Sequence, residues 1–568
     1  MSDQIKHECG VALLRLRKGA SYYRTTYGTS DYGGMKLSLL LAKQHNRGQD
    51  GAGAAMLRLQ PEPGTPPYRV LKSVAAQPLT DLLGQIAKRH SASDPYRGAS
   101  SPAASDETVF LGHLRYATFG RQDLNFCHPF VHVASTLERT LLLAGNFNLT
   151  NTHELFEEYR GLGFFPSCKA DGYLMTELIA HNLKHGKPIE TALKEALTGA
   201  DGAFTLIGST AAGTSFAIRD PHGIRPGYYY MTDEVVVVAS ERPAIQAAFD
   251  CDLEDVKELP PGEVLVIESD GSAEFRPCLP PAESRGCVFE RIYFSRANDA
   301  EIHHERKALG AALMEPVVKA SGCDLEDIFF SFIPNSAQVA FHGLVEQLYA
   351  EGLKRGKHVR FGQVAVKDAK FRTFIADAAA RREFYKHVYD VTYGLVRRGE
   401  DTLVVLDDSI VRGNTMKNAI LPMLDRLGPK KIVVASSAPP IRYPDCYGID
   451  MSTLGELVAF RALVNLLGAE ADAVLRAALE GTDLNSLEKV YGRFTEQEHN
   501  AEIARLLTPK GLHAEVEVVY QTMEGLHAAC PKSSGDWYFT GNYPTPGGYR
   551  VLRTALANYL ERREGRSY

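Results

Sequence analysis

Apolar residues in the first half of the chain gather in short β-branched runs, of which residues 234–240 (EVVVVAS) are the densest. Between them lie stretches such as residues 152–159, whose apolar positions recur at helical spacing. Together they predict an α+β unit with substantial antiparallel sheet. A final pair of strands is expected in ELPPGEVLVIESDGSAEF, from Glu258, ahead of the Pro-rich link PCLPPAESRG, and a domain boundary is placed after residue 280. QPEPGTPP after Leu59 and HSASDPYRGASSPAASDE from His90 read as exposed loops.

The second half changes period. Residues 402–406 (TLVVL) form a continuous apolar run, as a strand buried on both faces of a parallel sheet requires. After DDSIVRGNT, apolar residues recur at Met416, Ala419, Ile420, Met423, Leu424 and Leu427 before Gly428, the spacing of one helical face closed by a glycine. KKIVVASSA supplies the next strand. In such a βαβ unit ligands sit at the carboxyl ends of the strands, where Asp407 and Asp408 fall.

Composition narrows the classes. A chain of 568 residues needs more than one core, and 44% apolar with 23% charged residues is ordinary for a folded globular protein. With 63 basic against 69 acidic residues, the net charge of −6 gives no global field for nucleic acid or an anionic membrane. No apolar run has membrane-spanning length, and MSDQIKHECGVALLRL lacks a basic signal region, so a cytoplasmic protein is expected. Nine cysteines without a C-x-x-C pair argue against a zinc ribbon or a disulfide framework.

Two adjacent carboxylates at a strand end are ordinarily a solvated turn. Here the loop Ser409-Ile410-Val411-Arg412-Gly413-Asn414-Thr415 adds hydroxyls, a flexible glycine and backbone N–H groups entering a helix, which together suit a phosphate. Carboxylates beside a phosphate cradle suit a sugar phosphate, held through its hydroxyls directly or through magnesium.

VVLDDSIVRGNT resembles the phosphoribosylpyrophosphate (PRPP) signature of type I phosphoribosyltransferases, with Asn414 in place of a usual Thr. IPNSA, which contains Ser336, sits where that family has its pyrophosphate loop, and RTFI at residues 372–375 resembles the end of its flexible loop. Lys367 and Lys370 stand as alternative sources of that loop's positive charge. In the first half HECGVALLRL, HNRGQDGAG, GHLRYATFG, HPF, AGNFNLTN and RDPHGIRP occur in the order seen in class II glutamine amidotransferases. The combination resembles the amidophosphoribosyltransferase family.

That resemblance implies an N-terminal-nucleophile αββα sandwich followed by a type I phosphoribosyltransferase parallel-sheet domain. It divides the chain into a propeptide at 1–8, a glutaminase domain at 9–280, a phosphoribosyltransferase domain at 281–500 and a C-terminal helical extension at 501–568. It also implies roles. Cys9 attacks the glutamine amide, activated by its own α-amine once the residues ahead of it are removed by self-cleavage. Arg115 clamps the α-carboxylate, Asp171 holds the α-ammonium and Tyr116 orients the site. Asn146 donates to the oxyanion from its side chain, joined by a backbone N–H at Phe147. The family's usual H-N-G-N run is Gly145-Asn146-Phe147-Asn148 here. His113 and His128 are expected to pack rather than catalyse. Asp407 and Asp408 hold the ribose with Mg2+, and Ser409, Arg412, Gly413, Asn414, Thr415 and Ser336 join in PRPP binding.

The activity implied converts glutamine, water and PRPP to 5-phosphoribosylamine, glutamate and pyrophosphate, the committed step of de novo purine synthesis. Purine nucleotides as inhibitors and a homo-oligomer follow from the same resemblance. Cys287, Cys446 and Cys530 lie near positions where some relatives bind an iron–sulfur cluster, but the C-x-x-C of those relatives is missing, which argues against a cluster. Two other readings are an ammonia-dependent transferase with impaired glutaminase and a non-catalytic PRPP-sensing regulator.

Overall fold

The computed structural model describes residues 8–59, 61, 63–89, 106–117, 123–367, 389–449 and 451–563. The loop read at residues 90–107 lies almost wholly outside these residues, and the one after Leu59 lies partly outside them. Lys370 and residues 372–375 lie outside them too.

Two antiparallel sheets build the first half. One runs in the order Lys257–Glu258, Tyr228–Met231, Val235–Ala239, Gly10–Leu16, Glu107–Arg115, Gly51–Arg58 and Tyr68–Ser73. The other runs Ala273–Pro277, Glu263–Ile267, Ser215–Arg219, Gly202–Thr210, Leu141–Leu149 and Phe130–His132. Side chains alternate across each strand, and here both faces are used. Val11 and Leu13 pack inward with Leu142, Ile207 and Leu265 of the second sheet. Ala12 and Leu14 pack outward under helices Tyr32–Lys43 and Arg242–Phe249. The far face of the second sheet, with Leu143 and Phe204, is covered by helices Asp171–Leu183 and Ile189–Leu197. The result is the expected four-layer αββα sandwich, and double burial explains the unbroken apolar runs of its central strands.

The second half holds a parallel sheet ordered Arg360–Phe361, Ile328–Phe332, Thr402–Asp407, Lys431–Ser436 and Glu515–Tyr520. Leu403 and Val405 face one helical layer, while Val404 and Leu406 face the other, which includes helix Gln338–Arg355. The helical face expected after the Asp pair is buried at Met416, Ala419, Ile420, Met423, Leu424 and Leu427. A wide π-type turn, Met416–Ile420, leads into Leu421–Asp425. Pro422, which has no N–H to donate, falls where the winding changes.

The expected division at residue 500 is corrected by this topology. Residue 500 lies inside helix Glu496–Leu507, and Glu515–Tyr520 pairs with Lys431–Ser436 as the fifth parallel strand, so the segment from 501 is not a purely helical extension. EVEVVY is half-alternating and carries a weaker periodic signal than its helical neighbours. The remaining C-terminal residues close a seam: Trp537, Tyr538 and Leu552 share one apolar core with Phe289, Tyr447 and Phe460 and with Ala203 and Ile224 of the antiparallel half. Among the described residues no helix is long and apolar enough to cross a membrane.

Candidate active sites

Cys9 stands immediately before the central strand Gly10–Leu16. That strand pairs Gly10 with Leu114, which brings the end of the neighbouring strand, Arg115 and then Tyr116, beside the thiol. The Tyr116 N–H donates to Cys9 Sγ at 3.3 Å. Asp50 fixes the same strand end, because its N–H donates to the Arg115 carbonyl and its carboxylate accepts the Ala117 N–H, each at 3.0 Å. Asn146 comes from the second sheet, and Asp171 opens helix Asp171–Leu183 with Oδ1 taking the Gly172 N–H at 2.9 Å. These elements converge on a cavity of about 480 Å³ lined by all six residues expected from sequence: Cys9, Arg115, Tyr116, Asn146, Phe147 and Asp171.

The polar groups suit an amide substrate. Asn146 Nδ2 is buried without a hydrogen-bond partner among the described residues, a donor whose desolvation is left uncompensated until something accepts from it. His113 and His128 stack at 4.1 Å, and burial pushes His113 down to about 3 and His128 well below the usual imidazole range. Both are therefore neutral near pH 7. His113 Nε2 donates to the Gly145 carbonyl at 3.1 Å and His128 Nδ1 accepts the Gly145 N–H at 3.2 Å, so the pair braces the strand that carries Asn146. A Cβ on Gly145 would sit 2.6 Å from the Phe147 ring. The glycine at 145 and the phenylalanine at 147 are thus two halves of one packing solution.

Burial pushes the Cys9 thiol up to about 11, against the lowering effects of the Tyr116 backbone contact and the Arg115 charge. With Glu8 still attached, the sulfur is protonated at neutral pH.

Several residues around the thiol carried no role in the sequence reading. Glu8 and Arg225 line the cavity, as do Arg550, Val551 and Thr554 of the C-terminal helix Pro546–Leu560. Arg47 is buried, with Nε on Glu241 at 2.8 Å, Nη2 on Glu290 at 2.7 Å and Nη2 on Ser295 Oγ at 3.2 Å. Arg225 is held by a loop in which the Asp220 carboxylate accepts the His222 and Ile224 N–H groups at 3.0 and 3.1 Å. Arg47 and Arg225 belong to HNRGQDGAG and RDPHGIRP, runs whose order in the chain carries the resemblance but whose composition points to no role for either arginine.

The second cluster sits at the end of Thr402–Asp407. The Asp408 N–H donates to Asp407 Oδ1 at 2.9 Å, and the buried Asp408 carboxylate accepts the Ser409 hydroxyl at 2.8 Å and that of Ser336. The loop at Ile333 and Ser336 is thereby joined to the acidic pair, as sequence order alone could not show. Gly413 has φ +75°, and a Cβ there would meet Leu507 at 2.2 Å, so the turn into the helix at Asn414 and Thr415 depends on glycine. Arg412 Nε is engaged by Glu456 at 2.6 Å. Lys367 ends strand Ala365–Lys367. Among the described residues no three His, Cys, Asp or Glu side chains gather as a ready-made metal site. Two adjacent carboxylates nonetheless fit magnesium, which commonly takes one or two carboxylates and completes its shell with water and substrate phosphates. Cys287, Cys446 and Cys530 are buried in the seam core, with Cys287 Sγ 3.4 Å from the Tyr538 hydroxyl.

The glutamine amidotransferase domain family matches residues 129–247. The amidophosphoribosyltransferase of Pasteurella multocida is 30% identical over 370 residues, 62% of this chain and 69% of that protein. That of Escherichia coli is 30% identical over 374 residues, 61% of this chain and 69% of that protein. The Mycobacterium leprae protein of the same name is 31% identical over 398 residues, 68% of this chain, and the match spans 66% of its length, just under two thirds. A solved glutamine PRPP amidotransferase from B. subtilis, complexed with ADP and GMP, superposes with TM-score 0.65 over 94% of this chain and 97% of its own at 24% identity.

Proposed function

The chain belongs to the amidophosphoribosyltransferase family, and from that premise we propose that it converts glutamine, water and PRPP to 5-phosphoribosylamine, glutamate and pyrophosphate. One observation carries the reading: Cys9, Arg115, Asn146 and Asp171, drawn from three strands or strand ends and a helix start, line one cavity. Arg115 and Asp171 present opposite charges to the α-carboxylate and α-ammonium of glutamine. The buried Asn146 amide, with the Phe147 N–H, donates to the oxygen that gains charge when Cys9 Sγ adds to the side-chain amide. The base is the α-amine of Cys9, which exists only after the Glu8–Cys9 bond is cut.

At the second cluster Asp407 and Asp408 orient the ribose hydroxyls while the 409–415 loop receives the phosphate, and Ser336, already bonded to Asp408, ties in the pyrophosphate side. Magnesium held by the two carboxylates would supply charge neutralisation of the departing pyrophosphate. Lys367 or Lys370 would add a cation from the adjoining loop. Ammonia released at Cys9 travels inside the protein to the ribose. Purine nucleotides are the proposed inhibitors, and the protein is proposed to be a cytoplasmic homo-oligomer. PRPP-dependent glutamate release, measured beside ammonia-dependent pyrophosphate release, tests the reading. Both are expected, and the absence of both from the folded protein overturns it.

A further inference from the structure

The peptide bond ahead of Cys9 is gripped like a substrate. Its carbonyl oxygen, that of Glu8, accepts the Gly48 N–H at 3.0 Å. Gly48 has φ +40°, and a Cβ there would lie 2.3 Å from the Leu114 carbonyl carbon, so the backbone turns its N–H to this oxygen at a place where a side chain has no room. The Glu8 side chain is 1% exposed, ion-paired with Arg225 and 3.8 Å from Arg47. Among the described residues neither carboxylate oxygen accepts a hydrogen bond, so charge is what holds it.

Burying a carboxylate is costly unless cations compensate, and this one belongs to a residue that the mature active site must shed. Arg47 has Glu241 and Glu290 as well, whereas the ion pair formed by Arg225 is with Glu8. Gly448 leaves room for Arg225, since a Cβ there would fall 2.3 Å from Nη2. The clamp on Glu8 is thus built from the antiparallel half and backed by the segment that follows the parallel strand Lys431–Ser436.

We propose that Arg47, Gly48 and Arg225 form a processing site for the chain's own Glu8–Cys9 bond, in which the two guanidinium groups fix Glu8 and the Gly48 N–H stabilises charge on its carbonyl oxygen. This rests on the reading of Cys9 as an N-terminal nucleophile. Cys9 Sγ adds to the Glu8 carbonyl carbon, forming a C–S bond, and the Gly48 N–H meets the oxygen that becomes negative. The C–N bond then breaks, the thiol proton ends on the Cys9 nitrogen, and Glu8 is left as a thioester on sulfur. Water adds to that carbonyl, the C–S bond breaks, and the water's protons divide between the sulfur and the new Glu8 carboxylic acid, which ionises. The products are a free Glu8 carboxylate and a Cys9 with both amine and thiol. Gly48 touches the reacting atoms, while Arg47 and Arg225 are positioning residues.

The test follows leader loss by intact-mass measurement of the full chain during cell-free synthesis. Glu8→Gln keeps the shape and removes the charge, and its shedding is expected to slow at least about ten-fold. Hydroxylamine, which cleaves thioesters, is expected not to rescue it, because the block precedes the thioester. Equal shedding by parent and Glu8→Gln overturns the processing site while leaving the nucleophile reading in place. A parent that keeps Glu8 and still hydrolyses glutamine overturns that reading and this inference with it. If ammonia-dependent activity shows that Glu8→Gln has not folded, Glu8→Asp decides. Its carboxylate falls one methylene short of the guanidinium groups, so slower shedding supports the proposal and an unchanged rate overturns it.

Discussion

Asp201→Ala should loosen the C-terminal helix from the cavity at Cys9. Asp201 immediately precedes strand Gly202–Thr210, yet its carboxylate caps helix Pro546–Leu560 from across the seam. Oδ1 accepts the Thr150 hydroxyl at 2.5 Å and the Thr545 hydroxyl at 2.6 Å, and Oδ2 accepts the Gly547 N–H at 2.8 Å. The Thr545 side chain makes no cap bond of its own to that helix; its carbonyl accepts the Gly548 N–H at 3.1 Å, and the Gly547 N–H depends on this distant acid. A hydrogen bond to a charged acceptor is worth roughly 1.5–3 kcal/mol, and a carboxylate at a helix N-terminus about 0.3–1 kcal/mol more. The hydroxyls can turn to water once the acid is gone, so the net loss is discounted to about 3 kcal/mol, or roughly a hundred-fold in the local opening constant. Hydrogen exchange of a peptide spanning 546–560, read by mass spectrometry, should show that loss of protection. The glutamine KM should rise as well, because Arg550, Val551 and Thr554 of this helix line the cavity, while ammonia-dependent turnover stays near the parent rate. Asp201→Asn, which keeps one acceptor oxygen, should fall between. Unchanged exchange in a folded Asp201→Ala would refute the reasoning.

Three further outcomes are expected. Cys9→Ala should abolish glutamine-dependent turnover and retain ammonia-dependent synthesis in paired assays, since in the proposed reaction the thiol serves only the amide half. Asp407→Asn combined with Asp408→Asn should eliminate both activities and weaken PRPP binding by at least about ten-fold in calorimetry, because the acceptor is common to both. Asp401, buried and bonded to Arg360 at 2.6 Å and to Arg397 Nε at 2.7 Å, has its carboxyl held below the usual 3.8: burial pushes it up, but the hydrogen bonds from the two arginines prevail. The native state then binds fewer protons than the unfolded one in this range. Its contribution is present above about pH 4 and is lost as pH falls below that value, so thermal midpoints of Asp401→Asn should show a shallower acid decline than the parent.

Period and turn chemistry make much of this molecule legible in its sequence. The run at 402–406, the helical face ending at Gly428 and the hairpin after Glu258 all became the elements expected, because their apolar spacing admits one buried arrangement. Glu515–Tyr520 escaped because a six-residue edge strand between helices carries a weak periodic signal and owes its place to pairing with Lys431–Ser436. Six residues that line the cavity at Cys9 could be named one by one from motifs. Glu8, Arg47 and Arg225 could not, since a charge is read as solvated until the fold shows it buried against another. Asp201 belongs to the same class: Thr545 and Gly547, which it holds at the start of the C-terminal helix, lie more than three hundred residues away along the chain.

The pairing of Gly145 with Phe147 limits how this pocket can change over time. A side chain added at 145 would strike the Phe147 ring and Leu206, while loss of the ring alone would leave a void beside the core of Leu141, Leu143 and Phe204. Overpacking and cavity creation each cost on the order of 1–5 kcal/mol. An exchange to the family's His and Gly at these positions is therefore disfavoured one codon at a time in either order, and the two sites should be inherited, or engineered, as a unit.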